Sequence, residues 1–142
     1  MTGYVMDTSA WIEVFRGSEK GKKITEYIFP ELIEIASLIT PSIVITEMKS
    51  IYIRSGEGDK FEYDLEKIRN LSEIEDKIKE HCAIIAGKIH GENHSRRIQI
   101  SYVDCILWTL AREWNMKVLS TDKHFKECPQ AIYITEGEDN EI

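Results

Sequence analysis

SYVDCILWTLAREWNMKVLSTD, residues 101–122, is the stretch whose reading decides the fold. Ser101 and Asp104 form an S-x-x-D capping box at the start of SYVDCILWTLAREW, a strong helix. Met116 to Thr121 then reads as a strand. From Asp104 to Trp114 a helix descends about 15 Å, at ~1.5 Å per residue. From Lys117 to Asp122 a strand climbs back about 16 Å, at ~3.3 Å per residue. The two lengths nearly cancel, so Asp104 and Asp122 return to the same edge of a sheet.

Working outward, the chain keeps alternating between short apolar runs and helical patterns. Tyr4-Val5-Met6 is a first strand ending at Asp7. Thr8 and Ser9 offer N-cap oxygens for a helix that carries Trp11, Ile12 and Phe15 and closes near Gly17. A second helix runs from Lys20 to about Phe29, stopped by Pro30. IASLIT (35–40) is a short buried strand, and Pro41-Ser42 start a helix through VITEMKSIYI that ends near Ser55-Gly56. Helices follow over about 60–70 and from Ser72 to about Asn93. The second has an S-x-x-E box at Ser72 and Glu75 and an apolar face of Ile78, Cys82, Ile85, Ala86 and Ile89. AIYIT (131–135) is a last strand. This alternation predicts an α/β fold, a three-layer α/β/α sandwich around a mostly parallel sheet. Residues 1–135 form one domain, followed by an acidic tail, 136–142.

The net charge of −7 argues against a broad basic nucleic-acid face. Four of the negative charges, Glu136, Glu138, Asp139 and Glu141, sit in the tail. The body can still meet phosphate through divalent cations. Cys82, Cys105 and Cys128 are odd in number and widely spaced, which excludes a disulfide framework and a zinc cluster and leaves buried, idle thiols. No run approaches a membrane span, and the N-terminus does not read as a signal peptide, so a cytoplasmic location is expected.

In parallel α/β sheets, sites form at the carboxyl ends of strands. Asp7 and Asp122 end strands there, Asp104 returns to that edge, and Glu47 lies in the first turns of the helix after the second strand. Four carboxylates in one cleft repel each other unless protons or cations intervene. Hard oxygen ligands suit Mg²⁺ or Mn²⁺, which also bind phosphate oxygens and promote phosphodiester hydrolysis. Each acid also has a plain structural reading: Asp7 and Asp104 as caps, Asp122 as a turn residue, Glu47 as a solvated helix residue.

Four segments, in order, resemble the PIN-domain family. VMDTSAW is similar to its opening strand with Asp and a following Thr/Ser, and SIVITEMKS to the helix bearing its Glu. SYVDCILWTLA is similar to its D-x-x-I/L-x-x-x-A helix, and VLSTDKHF to its T-x-D-x-x-F ending. The resemblance spans about residues 3 to 135. It implies a Mg²⁺- or Mn²⁺-dependent ribonuclease, of which many bacterial and archaeal members are VapC-like toxins held inactive by a small antitoxin. It also implies a homodimer. Carried over, Asp7, Glu47, Asp104 and Asp122 are catalytic metal ligands, directly or through water, and Thr8, Ser9 and Thr121 supply supporting or phosphate-facing hydroxyls. Cys105, Trp108 and Thr109 depart from the family's usual small alanines, and residues 56–94 carry no family motif.

Other features are weaker. His90 and His94 are spaced i, i+4, but Gly91 stands where the zinc-protease motif needs Glu. Lys20, Lys22, Lys23, Arg96 and Arg97 are candidate RNA contacts, with a solvated face as the plainer reading. Tyr52, Ile53, Phe61 and Tyr63 form either core or a partner patch. A haloacid-dehalogenase phosphatase needs a second Asp where Ser9 stands, and a receiver domain needs paired acids beside Asp7. The alternative of another class is a PIN-fold RNA- or protein-binding regulatory module without catalytic turnover.

Overall fold

In a computed structural model, which describes residues 3–30 and 34–137, five parallel strands lie in the order β3-β2-β1-β4-β5. The strands are β1 (Gly3–Met6), β2 (Ser37–Pro41), β3 (Glu73–Glu75), β4 (Lys117–Ser120) and β5 (Ala131–Tyr133). The helices are α1 (Thr8–Arg16), α2 (Glu19–Ile28), α3 (Ser42–Arg54), α4 (Gly58–Leu71), α5 (Glu80–Ser95) and α6 (Tyr102–Glu113). Helices α1 to α4 pack in one contiguous group, and α5 packs with α6 in another, as in a three-layer sandwich.

The central strands are apolar on both faces because both are covered. Val5, Met6, Val118 and Leu119 are wholly buried, and Trp11, Ile24, Met48, Leu107 and Phe125 close the core around them. Gly17 ends α1 in the left-handed conformation, at φ 66°. Gly21 permits α2 to cross α1 closely, since a Cβ there would stand 2.0 Å from the Glu13 carbonyl oxygen. No described helix is long and apolar enough to cross a membrane. Glu138, Asp139 and Glu141 of the acidic tail lie outside the described residues.

One expected helix is corrected. Residues 73–75 form edge strand β3 beside β2, and α5 starts at Glu80. Ser72 does not cap a following helix. Its hydroxyl lies 2.8 Å from the Ile68 carbonyl and 2.8 Å from the Thr40 hydroxyl, closing α4 against β2. Ile78 is therefore off the helix and 41% exposed, while Cys82 and Ala86 keep their buried face. The cap of α1 is Asp7, as one reading of that acid had it, which takes the Thr8 amide at 2.8 Å; Thr8 and Ser9, expected to offer cap oxygens, are already helical. Tyr52 and Phe61 belong to the core, whereas Ile53 and Tyr63 are exposed. All three cysteines are free and buried, and burial pushes Cys105 and Cys128 up to about 11, as inert thiols.

Candidate active site

From β1 the chain steps through β2 to β3 on one side, then returns to lay β4 on the other side of β1. The order reverses between β1 and β4, where a crevice opens at the carboxyl ends of the strands. Asp7 follows β1 and its amide donates to the Leu119 carbonyl of β4 at 3.1 Å. Asp122 follows β4 two residues after its end and caps a short 3₁₀ turn by accepting from the His124 amide at 2.9 Å.

The cleft has a volume of about 490 Å³, and its walls carry Asp7, Glu47, Asp104 and Asp122 together with Thr8, Ser9, Ser101 and His124. Asp104 sits in the first turn of α6, whose cap Ser101 accepts its amide at 3.1 Å. Ser101 therefore both caps α6 and lines the cleft beside Asp104. Glu47 reaches in from α3, held by the Thr8 hydroxyl, which donates to its Oε1 at 2.5 Å.

Asp7 is 3% exposed and is the most extensively held of the four. Its Oδ2 accepts from the Ser9 hydroxyl at 2.8 Å and the Ser120 hydroxyl at 2.6 Å. Each hydroxyl has one proton to give, so both oxygens are left to accept. Ser9 Oγ takes the Thr121 amide at 3.0 Å, and Ser120 Oγ takes the Asp122 amide at 2.9 Å. The start of α1 and the end of β4 are thus tied through one carboxylate.

Burial pushes Asp7 up to about 6; the Ser120 and Ser9 hydroxyls oppose it, the charge of Asp104 adds to it, and the Thr8 amide opposes it. Asp104 is raised as well, first by burial and then by Asp122, with Ser101 and His124 pulling the other way. Two neighbouring acids that resist ionising together mark a place where a cation would balance the charge.

The sequence alone does not single out His124. Its Nδ1 lies 3.3 Å from Asp122 Oδ1 and 3.5 Å from Asp104 Oδ2. Asp104, Asp122 and His124 present ligand atoms within 4.8 Å of one another, a spacing that suits one shared cation. Ser120 also escapes the sequence reading, which favours Thr121; Thr121 contributes its backbone amide. The signal lies in the T-x-D pattern, which places the hydroxyl two residues before Asp122, at Ser120. Arg16, at the end of α1, reaches the cleft wall too.

Lys20, Lys22 and Lys23 lie on α2 and are not among the cleft's lining residues. Lys22 pairs with Glu19 at 3.4 Å, and Lys23 donates to the carbonyls of Thr135, Glu136 and Gly137. Arg96 and Arg97 follow α5, beside the cleft rather than in it. His90 and His94 stack on one another, and among the described residues no acid completes a metal group with them.

The family model of the PIN domain matches residues 4–130. The chain belongs to the PIN-domain family. No curated protein sequence matches it. Its fold is similar to that of solved VapC-type toxins. The chain from VapBC2 of Rickettsia felis, solved bound to a promoter DNA fragment, shares 16% identity at a TM-score of 0.73. That match covers 94% of this chain and 100% of the other. VapC20 of Mycobacterium tuberculosis, described as a sarcin-ricin loop cleaving toxin, has 14% identity and a TM-score of 0.67, covering 94% and 98%. The fold is also similar to that of PAE2754 of Pyrobaculum aerophilum, with 12% identity and a TM-score of 0.66, covering 93% and 89%. At these identities the likeness is one of fold.

Proposed function

We propose that this PIN-domain protein is a metal-dependent endoribonuclease that hydrolyses RNA phosphodiester bonds as the toxin of a toxin–antitoxin pair. The observation that carries the reading is the convergence of Asp7, Glu47, Asp104 and Asp122 on one cleft at the switch point of the sheet. The donor set fits a hard cation: carboxylate oxygens predominate, and Asp7 and Asp104 are held from ionising freely by burial first and then by a neighbouring acid, Asp104 for the one and Asp122 for the other. Mg²⁺ or Mn²⁺ are the ions this chemistry selects, with the four acids as ligands, directly or through water. When bound, such an ion supplies Lewis acidity for the hydrolysis of a phosphodiester.

The chain's own residues do the positioning. Ser9 and Ser120 fix one oxygen of Asp7 and leave its charge aimed at the cleft. Thr8 fixes Glu47, and Ser101 fixes the turn that presents Asp104. Because these partners are hydroxyls and amides, they orient the acids without neutralising them. Arg16 and His124 bring nitrogen donors to the cleft that can meet a phosphate with a hydrogen bond.

The test is cleavage of a mixed RNA pool by the purified chain. Cleavage with Mn²⁺ or Mg²⁺ and none in EDTA is expected; no cleavage under any condition overturns the nuclease reading and leaves the regulatory module. The antitoxin belongs to the same proposal: a small partner that seats an Arg against the acids would form strong charge-assisted hydrogen bonds. A homodimer is proposed as well, since two-fold pairing is the default for small oligomers. Light scattering that returns a single 16.5 kDa particle at high concentration removes the dimer.

A further inference from the structure

The cleft does not end at the carboxylates. Ser101 and His124, which line it, also line a neighbouring cavity of about 650 Å³ bounded by His90, His94 and residues 97–100. Beyond it, sharing Arg97 and His124, lies a further groove of about 800 Å³ that reaches Trp108, Lys126 and Tyr133. The three spaces share lining residues and follow one another from the acid cluster along the segment that joins α5 to α6.

The charge of the two outer spaces is opposite to that of the whole molecule. The chain carries a net −7. The two outer spaces are lined by Arg96, Arg97, Lys123 and Lys126, with Glu127 as the single carboxylate. All four cations are exposed, and no ion pair engages any of them among the described residues. Such a strip neutralises a phosphate backbone, whereas a basic peptide would be repelled.

Beside the strip stands a stack of flat rings. Tyr102, at the first position of α6, lies on the His90 ring with centroids 3.9 Å apart and planes 18° apart. His94, one turn along α5, continues it at 6.3 Å and 13°. Tyr102 is 66% exposed, so much of its surface is free. Parallel rings with an open face, next to a basic strip, are what an unpaired base stacks on, and a duplex presents no such base.

We propose that residues 90–102 together with Lys123 and Lys126 form a docking platform for single-stranded RNA flanking the cleaved phosphate. Arg96, Arg97 and Lys126 hold backbone phosphates, and a base stacks on Tyr102 over His90. The platform gives residues 90–94, the end of the segment without a family motif, and the turn that follows them a role in substrate choice, and rests on the nuclease reading for its link to cleavage.

The experiment uses the full chain and two measurements. Fluorescence anisotropy in EDTA reads binding of a labelled single-stranded oligoribonucleotide without turnover. Steady-state cleavage with Mn²⁺ reads KM and kcat for that oligonucleotide and for a dinucleotide too short to leave the cleft. Tyr102→Ala is expected to weaken binding and raise KM for the long RNA about tenfold, the order of one lost base stack, with kcat and dinucleotide cleavage unchanged. Tyr102→Phe keeps the ring and should behave as wild type. Arg96→Glu with Lys126→Glu should weaken binding further and flatten its salt dependence. If the wild type binds RNA through Tyr102 but never cleaves it, the platform stands and the nuclease reading falls. If the charge and ring variants bind long RNA as the wild type does, the platform is overturned, whatever happens to cleavage. It is overturned equally if those variants lose only a protein partner.

Discussion

Asp7 and Asp64 are the two most buried carboxylates among the described residues, 3% and 1% exposed, and the protein uses them in opposite ways. Asp64 lies in the middle of α4, accepts the Tyr52 hydroxyl at 2.6 Å, and leaves its Oδ1 with no hydrogen-bond partner. It joins α3 to α4 inside the core. Asp7 accepts from three donors on two distant segments and faces a second acid across a cleft. Burial therefore does not mark a functional acid. A carboxylate fixed by several donors, yet kept beside a like charge, is what a structural role alone does not require.

The largest expected effect separates the two directly. Asp7→Asn keeps the shape and much of the capping ability, since Asn caps helices about as well as Asp. It removes the charge that a cation needs. Metal-dependent RNA cleavage should fall by orders of magnitude, because metal catalysis is worth several kcal/mol of barrier and each ~1.4 kcal/mol is tenfold. Circular dichroism should show an unchanged fold. Asp64→Asn should cleave at the wild-type rate per folded molecule. Full activity in Asp7→Asn would break the comparison at its centre.

Binding should separate them next. Millimolar Mn²⁺ should raise the melting temperature of the wild type and of Asp64→Asn by on the order of 5–10 °C, as expected for an ion present well above its dissociation constant. Asp122→Asn should lose most of that rise. An equal rise in all three proteins would mean that the ion binds elsewhere, for instance at His81, Cys82 and Glu113, which also bring ligand atoms together.

Much of this candidate site is legible in the chain itself, and the limits have physical causes. The segment 101–122 is long, strongly patterned and returns on itself, so geometry alone puts Asp104 beside Asp122. Strands β1 and β4 are apolar on both faces and stand out as short runs. Strand β3 is three residues long, Glu-Ile-Glu, and three residues cannot distinguish a period of two from one of 3.6. Its S-x-x-E pattern matches a helix start by composition, while the Ser72 hydroxyl is already engaged by α4 and β2. Ser120 is marked in the sequence only by its place two residues before Asp122, and His124 by nothing, because a hydroxyl at a strand end and a histidine in a turn have many ordinary uses. The three-dimensional neighbour, Asp7 for one and Asp104 for the other, shows what each does here.

Proton linkage gives a smaller effect with a definite sign. Without metal, folded Asp7 holds its proton up to about 6, above the 3.8 of an ordinary aspartate. Below the lower value both folded and unfolded chains are protonated and nothing is lost. As pH rises from there through about 6, the unfolded chain releases its proton first, so stability falls, by roughly 2–3 kcal/mol in all. Asp104 is raised too and acts in the same direction. Urea titrations in EDTA should show this decline, and Asp7→Asn should flatten it. Added Mn²⁺ should reverse it, because the ion competes with the proton and binds better as pH rises. Stability that climbs between pH 4 and pH 6 in EDTA, and does so equally in Asp7→Asn, would mean the carboxylate is not held protonated by its surroundings.

The last expected effect tests the structural half of the comparison. Tyr52→Phe deletes the one donor that Asp64 has and leaves both of its buried oxygens unmatched. An unsatisfied buried acceptor costs about 1–3 kcal/mol, so the melting temperature should fall by several degrees. Cleavage per folded molecule should not change, since the pair lies outside the cleft lining. Replacing both partners separates a lost hydrogen bond from a stranded polar group. In Tyr52→Phe with Asp64→Leu no buried oxygen is left to satisfy, and leucine is close enough in size to fill much of the space. Most of the lost stability should return. If the double variant is as unstable as the single losses added together, the hydrogen bond itself holds α3 to α4, and Asp64 is no passive counterpart to Asp7. If instead Tyr52→Phe alone lowers cleavage while melting stays at the wild-type temperature, the division between a carboxylate for packing and one for chemistry is wrong.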